Sequence, residues 1–444
     1  MYRTLRFQRA LTALALPLAS QAALAGYTFE EGDLSGEATL TAGASTVMTR
    51  NVNFGAGRVD QRNGRNGGTR VDWQEMYLKP GVTLKYGVTP DFDLIAGGSV
   101  VASKTLGDGD AGGFTRSSDG QVSTEELYAG FRAGEWTFTA GRQNYKVGTG
   151  FIVMDGNLDA LDDGAYWLGP RTAFRDSGLL AWDHGALKVQ AFSLRTDTQL
   201  GDYRLNGANL DYDLDGRVTL GAMAMNVDSL TRHYSTPIRR DGMHVYNLRA
   251  LNGKLPGLDA LTLNGEYAVQ RGSGDGVDYD AKAWYAQADY AFETLPLTPV
   301  LGYRYAVFSG DDDVTDTTQK SWDPLAKGFV DWSTWLVGDV MGNYVLFNSN
   351  ERVQQFSVKT RLSQTLALGA IHYQFWLDEK NYQGVAVDDR RFADESVVYL
   401  DWTPTERLYT SLSYNWVDPK AAAKQVFGND DRFSALELYF TYRY

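Results

Sequence analysis

The sequence predicts an all-β protein, a transmembrane antiparallel β-barrel of about 18 strands with long extracellular loops and short periplasmic turns. Three observations support this prediction. Polar and apolar residues alternate in many short segments, the connections between these segments alternate in length, and aromatic residues and glycines are abundant. The chain has 26 Tyr, 20 Phe, 11 Trp, 47 Gly and no Cys, a composition that favours turn-rich strands over a disulfide-stabilised scaffold.

The alternating segments indicate the strands, because lipid-facing and lumen-facing residues take turns along each strand of a membrane barrel. A strand therefore shows a period of two residues. The segments with this pattern are 34–48, 71–86, 92–104, 122–132, 136–143, 174–183, 187–196, 203–213, 217–227, 243–251, 260–270, 281–292, 298–309, 353–362, 366–377, 395–402, 408–416 and 433–444.

The connections support the same fold, because bacterial barrels alternate short periplasmic turns with longer outer loops. Both ends of the chain then lie on the short-turn side. A β-solenoid or a large soluble sandwich remains the alternative fold, but neither explains this order. The short links are 87–91, 133–135, 184–186, 214–216, 252–259, 293–297, 363–365 and 403–407, and the long ones are 49–70, 105–121, 144–173, 228–242, 310–352 and 418–432.

The first 25 residues predict a cleaved signal peptide. Arg3, Arg6 and Arg9 precede an apolar stretch at 11–18, and small residues at 23–25 fit a cleavage site. Residues 26–444 would then form a single barrel domain in the outer membrane of a Gram-negative bacterium. No later run approaches the roughly 20 apolar residues that a transmembrane helix requires.

The final strand carries a wholly apolar face formed by Leu436, Leu438, Phe440, Tyr442 and Tyr444. A last strand that ends on an aromatic residue resembles the signal by which outer-membrane barrels reach their assembly machinery. The alternative is an ordinary half-buried strand.

The net charge of −13 argues against nucleic acid as a partner, because phosphate binding requires clustered Lys and Arg. The overall sign leaves open a local basic stripe inside a pore. Strand alternation places several cations on the lumen side, where they avoid a cost of roughly 2 to 4 kcal/mol per charge at the lipid face. These predicted lumen residues are Lys79, Arg175, Lys188, Arg249, Arg304, Lys359 and Arg361.

Lumenal Arg and Lys rings would favour anions. The alternative is that lumenal acids such as Glu126, Glu266, Asp289 and Glu437 neutralise the cations and merely tie the walls together. Arg142 departs from the pattern, because alternation in its strand predicts a lipid-facing position. A bulge near Gly141 or a site at the outer interface would resolve this conflict.

The segment 322–350 is unusually rich in aromatic and acidic residues within one predicted outer loop, with Trp322, Trp332, Trp335, Tyr344 and Phe347. Such a loop could fold inward as a constriction, and its flat rings would suit the apolar faces of sugars. The alternative is an aromatic interface girdle combined with loop packing.

Enzymatic function and bound cofactors are not expected. None of His184, His233, His244 and His372 accompanies a Gly-x-Ser-x-Gly nucleophile motif. A structural Ca²⁺ held by Asp311, Asp312, Asp313 and Asp316 is a weak possibility, because the spacing lacks the EF-hand pattern and a solvated acidic loop explains it better.

Two patches resemble the alginate export family. One consists of 322–325, 330–335 and 342–350, and the other of Gly141-Arg142-Gln143 with Gly148 and Gly150. The resemblance implies a large monomeric barrel whose Arg-rich electropositive constriction exports anionic alginate, and it matches Arg142 to a motif position.

The sequence therefore predicts a passive outer-membrane channel for an anionic polysaccharide such as alginate, or for related anionic solutes. The expected partners are outer-membrane lipid and lipopolysaccharide, the barrel assembly machinery and the transported solute. A substrate-selective uptake porin for organic acids, sugars or aromatics is the first alternative. An adhesion or receptor barrel with a closed pore is the second.

Overall fold

The computed structural model describes residues 26–230, 239–328 and 338–444, so the predicted signal peptide at 1–25 and His233 lie outside the described residues. Within these ranges, eighteen antiparallel strands form one closed barrel. They are β1 (Leu34–Arg50), β2 (Asp72–Thr89), β3 (Phe92–Gly107), β4 (Val122–Ala133), β5 (Trp136–Gln143), β6 (Phe174–His184), β7 (Leu187–Arg195), β8 (Tyr203–Leu214), β9 (Val218–Ser229), β10 (Met243–Leu255), β11 (Leu258–Gly274), β12 (Val277–Ala291), β13 (Val300–Phe308), β14 (Glu351–Arg361), β15 (Leu366–Leu377), β16 (Arg391–Thr405), β17 (Leu408–Pro419) and β18 (Phe433–Arg443).

The barrel closes because β1 pairs with β18 as well as with β2, in a register that runs from Thr41 opposite Arg443 to Arg50 opposite Ser434. Backbone hydrogen bonds of 2.7 and 2.8 Å between Leu40 and Tyr444 complete this seam. A short strand at Tyr27–Glu31 pairs with the start of β1 just beyond the seam. Closure satisfies the backbone polar groups of the strands, as a lipid environment requires.

The two faces of the wall follow the predicted alternation. Leu301, Tyr303 and Phe356 are exposed on the outside, whereas Arg304, which follows Tyr303 on β13, is only 6 % exposed. All eighteen predicted segments overlap an observed strand. Contact with lipid requires apolar side chains on one face of each strand, so the alternation is visible in the sequence.

The outer connections are mostly longer than the periplasmic turns, but two of them are short. The alternating pattern predicts that one strand ends at residue 270 and the next begins at residue 281, whereas β11 and β12 continue to a hairpin tip at Asp275 and Gly276. Both tip residues have positive φ angles of 50° and 78°, the conformation of a type I′ turn, for which Asp-Gly is favoured. The connection between β7 and β8 is likewise short.

Helical structure is confined to the loops. A helix at Ala421–Phe427 lies between β17 and β18, and a π-helix at Gly338–Val345 lies between β13 and β14. None of the helices in the described part of the chain is long and apolar enough to cross a membrane.

Candidate functional site

Two outer loops fold into the barrel and meet there. The backbone of Val153, from the loop after β5, forms a bridge with Ala326 from the loop after β13, and the amide of Met154 donates to the Ala326 carbonyl at 2.7 Å. Phe151 lies 6.2 Å from Trp322 between ring centroids. We call the described parts of 144–173 and 309–350 the inner plug. The predicted inward folding of the second loop is thus confirmed for its described residues.

Apolar side chains of the wall hold one side of the inner plug. Leu194, Leu205, Met225 and Val245 point inward from four successive strands, and each is less than 5 % exposed. The sequence analysis did not predict this contact. A usable signal was present in β9, where Met223, Ala224 and Met225 are apolar at inward and outward positions alike, as expected of a strand covered on both faces.

Four wall glutamates bind the backbone of the inner plug, and we call them the anchor glutamates. All four are buried, and each lies on a different strand. Carboxylates that accept main-chain N–H groups form charge-assisted hydrogen bonds, which are stronger than neutral ones. The pairs are Glu75 with the amide of Leu168 at 2.9 Å, Glu125 with the amides of Thr172 at 2.9 Å and Ala173 at 3.1 Å, Glu266 with the Thr149 amide at 3.4 Å and its hydroxyl at 2.5 Å, and Glu395 with the amides of Val340 at 3.0 Å and Met341 at 2.9 Å.

Most of the predicted lumen cations face the lumen next to a carboxylate. The Lys359 ammonium lies 3.0 Å from Asp401, and the Arg249 guanidinium donates to Asp211 at 3.2 Å. Two more pairs are looser, with Lys79 at 3.3 Å from Glu125 and Lys188 at 3.8 Å from Asp183. These four wall charges are therefore locally compensated, as in the alternative interpretation of the sequence, but by Asp401, Asp211, Glu125 and Asp183 and not by the acids which that interpretation named.

Arg304 and Arg361 differ from these four. The Arg304 guanidinium donates to Gln287 at 2.8 Å and to Gln355 at 3.0 Å, and it lies 5.8 Å from the centre of the Tyr285 ring. Arg361 is exposed at the periplasmic end of β14. No side-chain hydrogen bond or ion pair joins Arg361 to a described residue.

Arg142 and Arg175 lie at the extracellular rim instead of in the lumen. The pairing of β5 with β6 shifts register between Gly141 and Gln143, which confirms the suggested bulge. Arg142 pairs with an outward-facing leucine of β4, donates to the Glu125 carbonyl at 3.0 Å and lies 3.9 Å from Asp197.

The lumen assignment of Arg175 rested on a lipid-facing Phe174, and that premise is wrong. Phe174 has no exposed surface, and it packs inward against the inner plug at Gly156. The bulge explains the error, because the extra residue on β6 resets its alternation. Arg175 instead donates to Asp202, in the outer connection before β8, at 3.0 Å.

The acidic run proposed for calcium stabilises its own loop. Asp311 accepts the amides of Asp313 at 3.1 Å and Lys320 at 3.2 Å, and Asp312 pairs with the Lys320 ammonium. Among the described residues, no group of three or more His or acidic side chains could hold a metal ion.

The aromatic residues proposed for sugar contact are placed only in part. Trp322 is 1 % exposed and belongs to the packed interior of the inner plug, so its ring faces are covered. Phe347 packs edge-on against Phe114 at 6.2 Å. Trp332, Trp335 and the side chain of Tyr344 lie outside the described residues.

Solved porins of Pseudomonas aeruginosa share this fold. OccK5 (OpdH) matches with a TM-score of 0.58 at 13% identity over 92% of this chain and 98% of its own. OpdL gives 0.58 at 12% identity, and OpdK, solved with vanillate, gives 0.58 at 15% identity, both with the same coverage. At such identities the similarity shows the fold alone. No curated protein sequence matches the chain.

The profile of the alginate export family matches residues 121–391, which is more than half of the chain. This range includes both inward loops and two of the four anchor glutamates, Glu125 and Glu266. Together with the closed barrel and its lipid-facing outer surface, the match establishes identity at the level of the family. The chain belongs to the alginate export family and is an outer-membrane channel of a Gram-negative bacterium.

Proposed function

We propose that this channel passes anionic solutes, with an anionic polysaccharide such as alginate as the leading substrate. The observation that carries the proposal is a strip of cations on β13 and β14. Arg304 lies opposite Gln355, and Lys359 and Arg361 occupy later inward positions of β14. At about 3.4 Å per residue, the strip extends roughly 20 Å from mid-barrel to the periplasmic mouth.

The charge balance of this strip supports anions. Asp401 contacts Lys359, and Asp289 on β12 binds Gln287, which also accepts from Arg304. Lys359 is paired, whereas no carboxylate of a described residue contacts Arg361, so the positive charge of the strip is least offset at the periplasmic mouth. A cationic wall lowers the electrostatic barrier for negative solutes.

Two comparisons agree with this proposal. The family is described by alginate export, and alginate is a polyanion. The similarly folded OpdK was solved with vanillate, a carboxylate. The second comparison also suits an uptake porin for small organic acids, which would use the same cationic strip in the opposite direction. A barrel used only for adhesion has no need of a cationic strip along its lumen.

The proposal extends to the remaining properties of the protein. Residues 1–25 act as a cleaved signal peptide, and residues 26–444 form one barrel domain that works as a monomer. The channel needs no catalysis and no cofactor. Its partners are outer-membrane lipid and lipopolysaccharide, the barrel assembly machinery and the solute itself.

The test is the reversal potential of the refolded barrel in a planar bilayer under a salt gradient. We expect anion preference in the parent protein and a weaker preference in a K359Q/R361Q double variant, because both changes remove charge from the strip. K424Q is the matched control, because Lys424 lies in an outer-loop helix. Cation preference in the parent protein would overturn the proposal.

A second measurement separates export of a polymer from uptake of small acids. A polyuronate added to one side should block the current if the polymer enters the lumen. Liposome swelling with a small carboxylate and with a neutral sugar of equal size measures the alternative. Rapid carboxylate entry without any polyuronate block would favour the uptake porin.

A further inference from the structure

The first segment of the inner plug, residues 144–148, runs along the inside of the wall. The Tyr145 ring lies 5.2 Å from that of Phe192, and its hydroxyl donates to Gln190 at 3.4 Å, both on the inner face of β7. At Gly148, an added methyl group would lie 2.8 Å from the Arg249 side chain of β10. The segment therefore crosses the lumen side of the wall from β5 to β10.

Burial alternates along this segment, and the alternation fixes the direction of Lys146. Tyr145 and Val147 are 8 % and 4 % exposed, because both side chains pack on the wall or within the plug. Lys146 between them is exposed. Neighbouring side chains of an extended segment point to opposite sides, so the Lys146 ammonium points away from the wall into the lumen.

Lys146 also differs from the paired wall cations, because it lacks a carboxylate partner among the described residues. Lys79, Arg249 and Lys359 each contact a carboxylate. No hydrogen bond or ion pair joins the Lys146 side chain to any described residue. Partial desolvation lowers the pKa of Lys146, in agreement with a position inside the barrel instead of in bulk solvent.

We propose that Lys146 determines the charge selectivity of the channel by presenting an uncompensated ammonium group to carboxylate-bearing solutes. This inference rests on the proposed anion passage and deepens it. Carboxylates offset the charges of Lys79, Arg249 and Lys359, whereas Lys146 has no such partner among the described residues and projects from the plug toward the solute path. The sequence analysis assigned residues 144–173 to a loop and did not single out Lys146.

The expected effect follows from Coulomb's law. A monovalent ion passing about 5 Å from a unit charge under water-like screening changes in local concentration about fourfold. Anions gain and cations lose this factor, so the K146Q variant should lower the anion-to-cation permeability ratio about sixteenfold, and K146E about 250-fold. K146R should keep the parent ratio. The K188Q/D183N double variant is the matched control and should keep the parent ratio, because it removes a lumenal cation together with its carboxylate at 3.8 Å and leaves the net charge unchanged.

Accessibility can be tested separately, because the chain contains no cysteine. K146C should react in the folded barrel with a negatively charged methanethiosulfonate, and the reaction should lower anion preference. A positively charged reagent should restore it. V147C is the buried control and should stay unmodified. An inert K146C, or an unchanged permeability ratio in K146Q, would refute the inference.

These measurements distinguish the two proposals. If the parent channel prefers anions and K146Q keeps the parent ratio, the role of Lys146 fails and the anion channel stands. If the parent channel prefers cations and the Lys146 variants still shift the ratio by the stated factors, the anion proposal fails. In that second case Lys146 still controls selectivity.

Discussion

Removing the Glu395 carboxylate should release the second inward loop from the wall. Both carboxylate oxygens accept main-chain amides, from Val340 at 3.0 Å and from Met341 at 2.9 Å. A hydrogen bond to a charged group contributes about 1.5 to 3 kcal/mol, so the two bonds together hold the loop by about 3 to 6 kcal/mol. The E395A variant loses both of them.

The E395Q variant should have a smaller effect of the same kind. Its amide keeps one acceptor oxygen but presents an NH₂ group to the second main-chain donor. The expected loss is about half, or roughly 1.5 to 3 kcal/mol. Since 1.4 kcal/mol is a factor of ten, this loss shifts the ratio of docked to undocked loop about tenfold to a hundredfold or more.

Single-channel recording measures this shift directly. We expect a second, higher conductance level that is brief in E395Q and dominant in E395A, because an undocked loop widens the passage. E437Q is the matched control, since Glu437 is a buried wall glutamate that accepts from Asn415 of the neighbouring strand at 2.9 Å. A single conductance level identical to that of the parent protein in E395A would refute the anchoring role.

Three further outcomes test the wall and the inner plug. Gly221→Ala should lower the unfolding temperature on heat-modifiability gels, because its methyl group would lie 2.3 Å from the Arg249 Nε, and a parent-like temperature would contradict this. Lys359→Met should destabilise the barrel by about 1 to 3 kcal/mol in urea, since it leaves the Asp401 carboxylate uncompensated, and adding Asp401→Asn should recover most of the loss. Anion preference should weaken as pH rises toward 10.5, the ordinary lysine pKa, because the lowered pKa of Lys146 makes it lose its proton earlier; a flat pH profile that matches K146R would count against this.

The wall was predictable because lipid constrains one face of every strand. Leu301 and Tyr303 are lipid-facing residues within a few positions of Arg304, so the inward direction of Arg304 follows from the local sequence. The prediction failed at Arg175, where a bulge of one residue reset the alternation. The out-of-pattern Arg142 on β5 indicated a bulge nearby, but the bulge depends on pairing with β6, and no local pattern shows which residues of β6 it shifts.

The contents of the lumen were much less predictable. The ion partner of Arg249 on β10 is Asp211 on β8, which lies 38 residues earlier in the chain and two strands away. The direction of the Lys146 side chain follows from Tyr145 and Val147, which pack on surfaces formed by distant segments of the chain. Composition and alternation identify such residues as charged or apolar, but their partners follow only from the closed barrel.

The spacing of the anchor glutamates along the chain constrains the order of assembly. The loop after β5 binds Glu75, which precedes Leu168 by 93 residues, and Glu266, which follows Thr149 by 117 residues. Contacts between such distant segments form late, because loop-closure entropy opposes them until the intervening chain is ordered. The loop therefore cannot complete its docking before β11 has joined the sheet. During biogenesis, β2 and β11 are therefore both in the sheet before this loop is fully docked, so the permeability barrier at this site is established late.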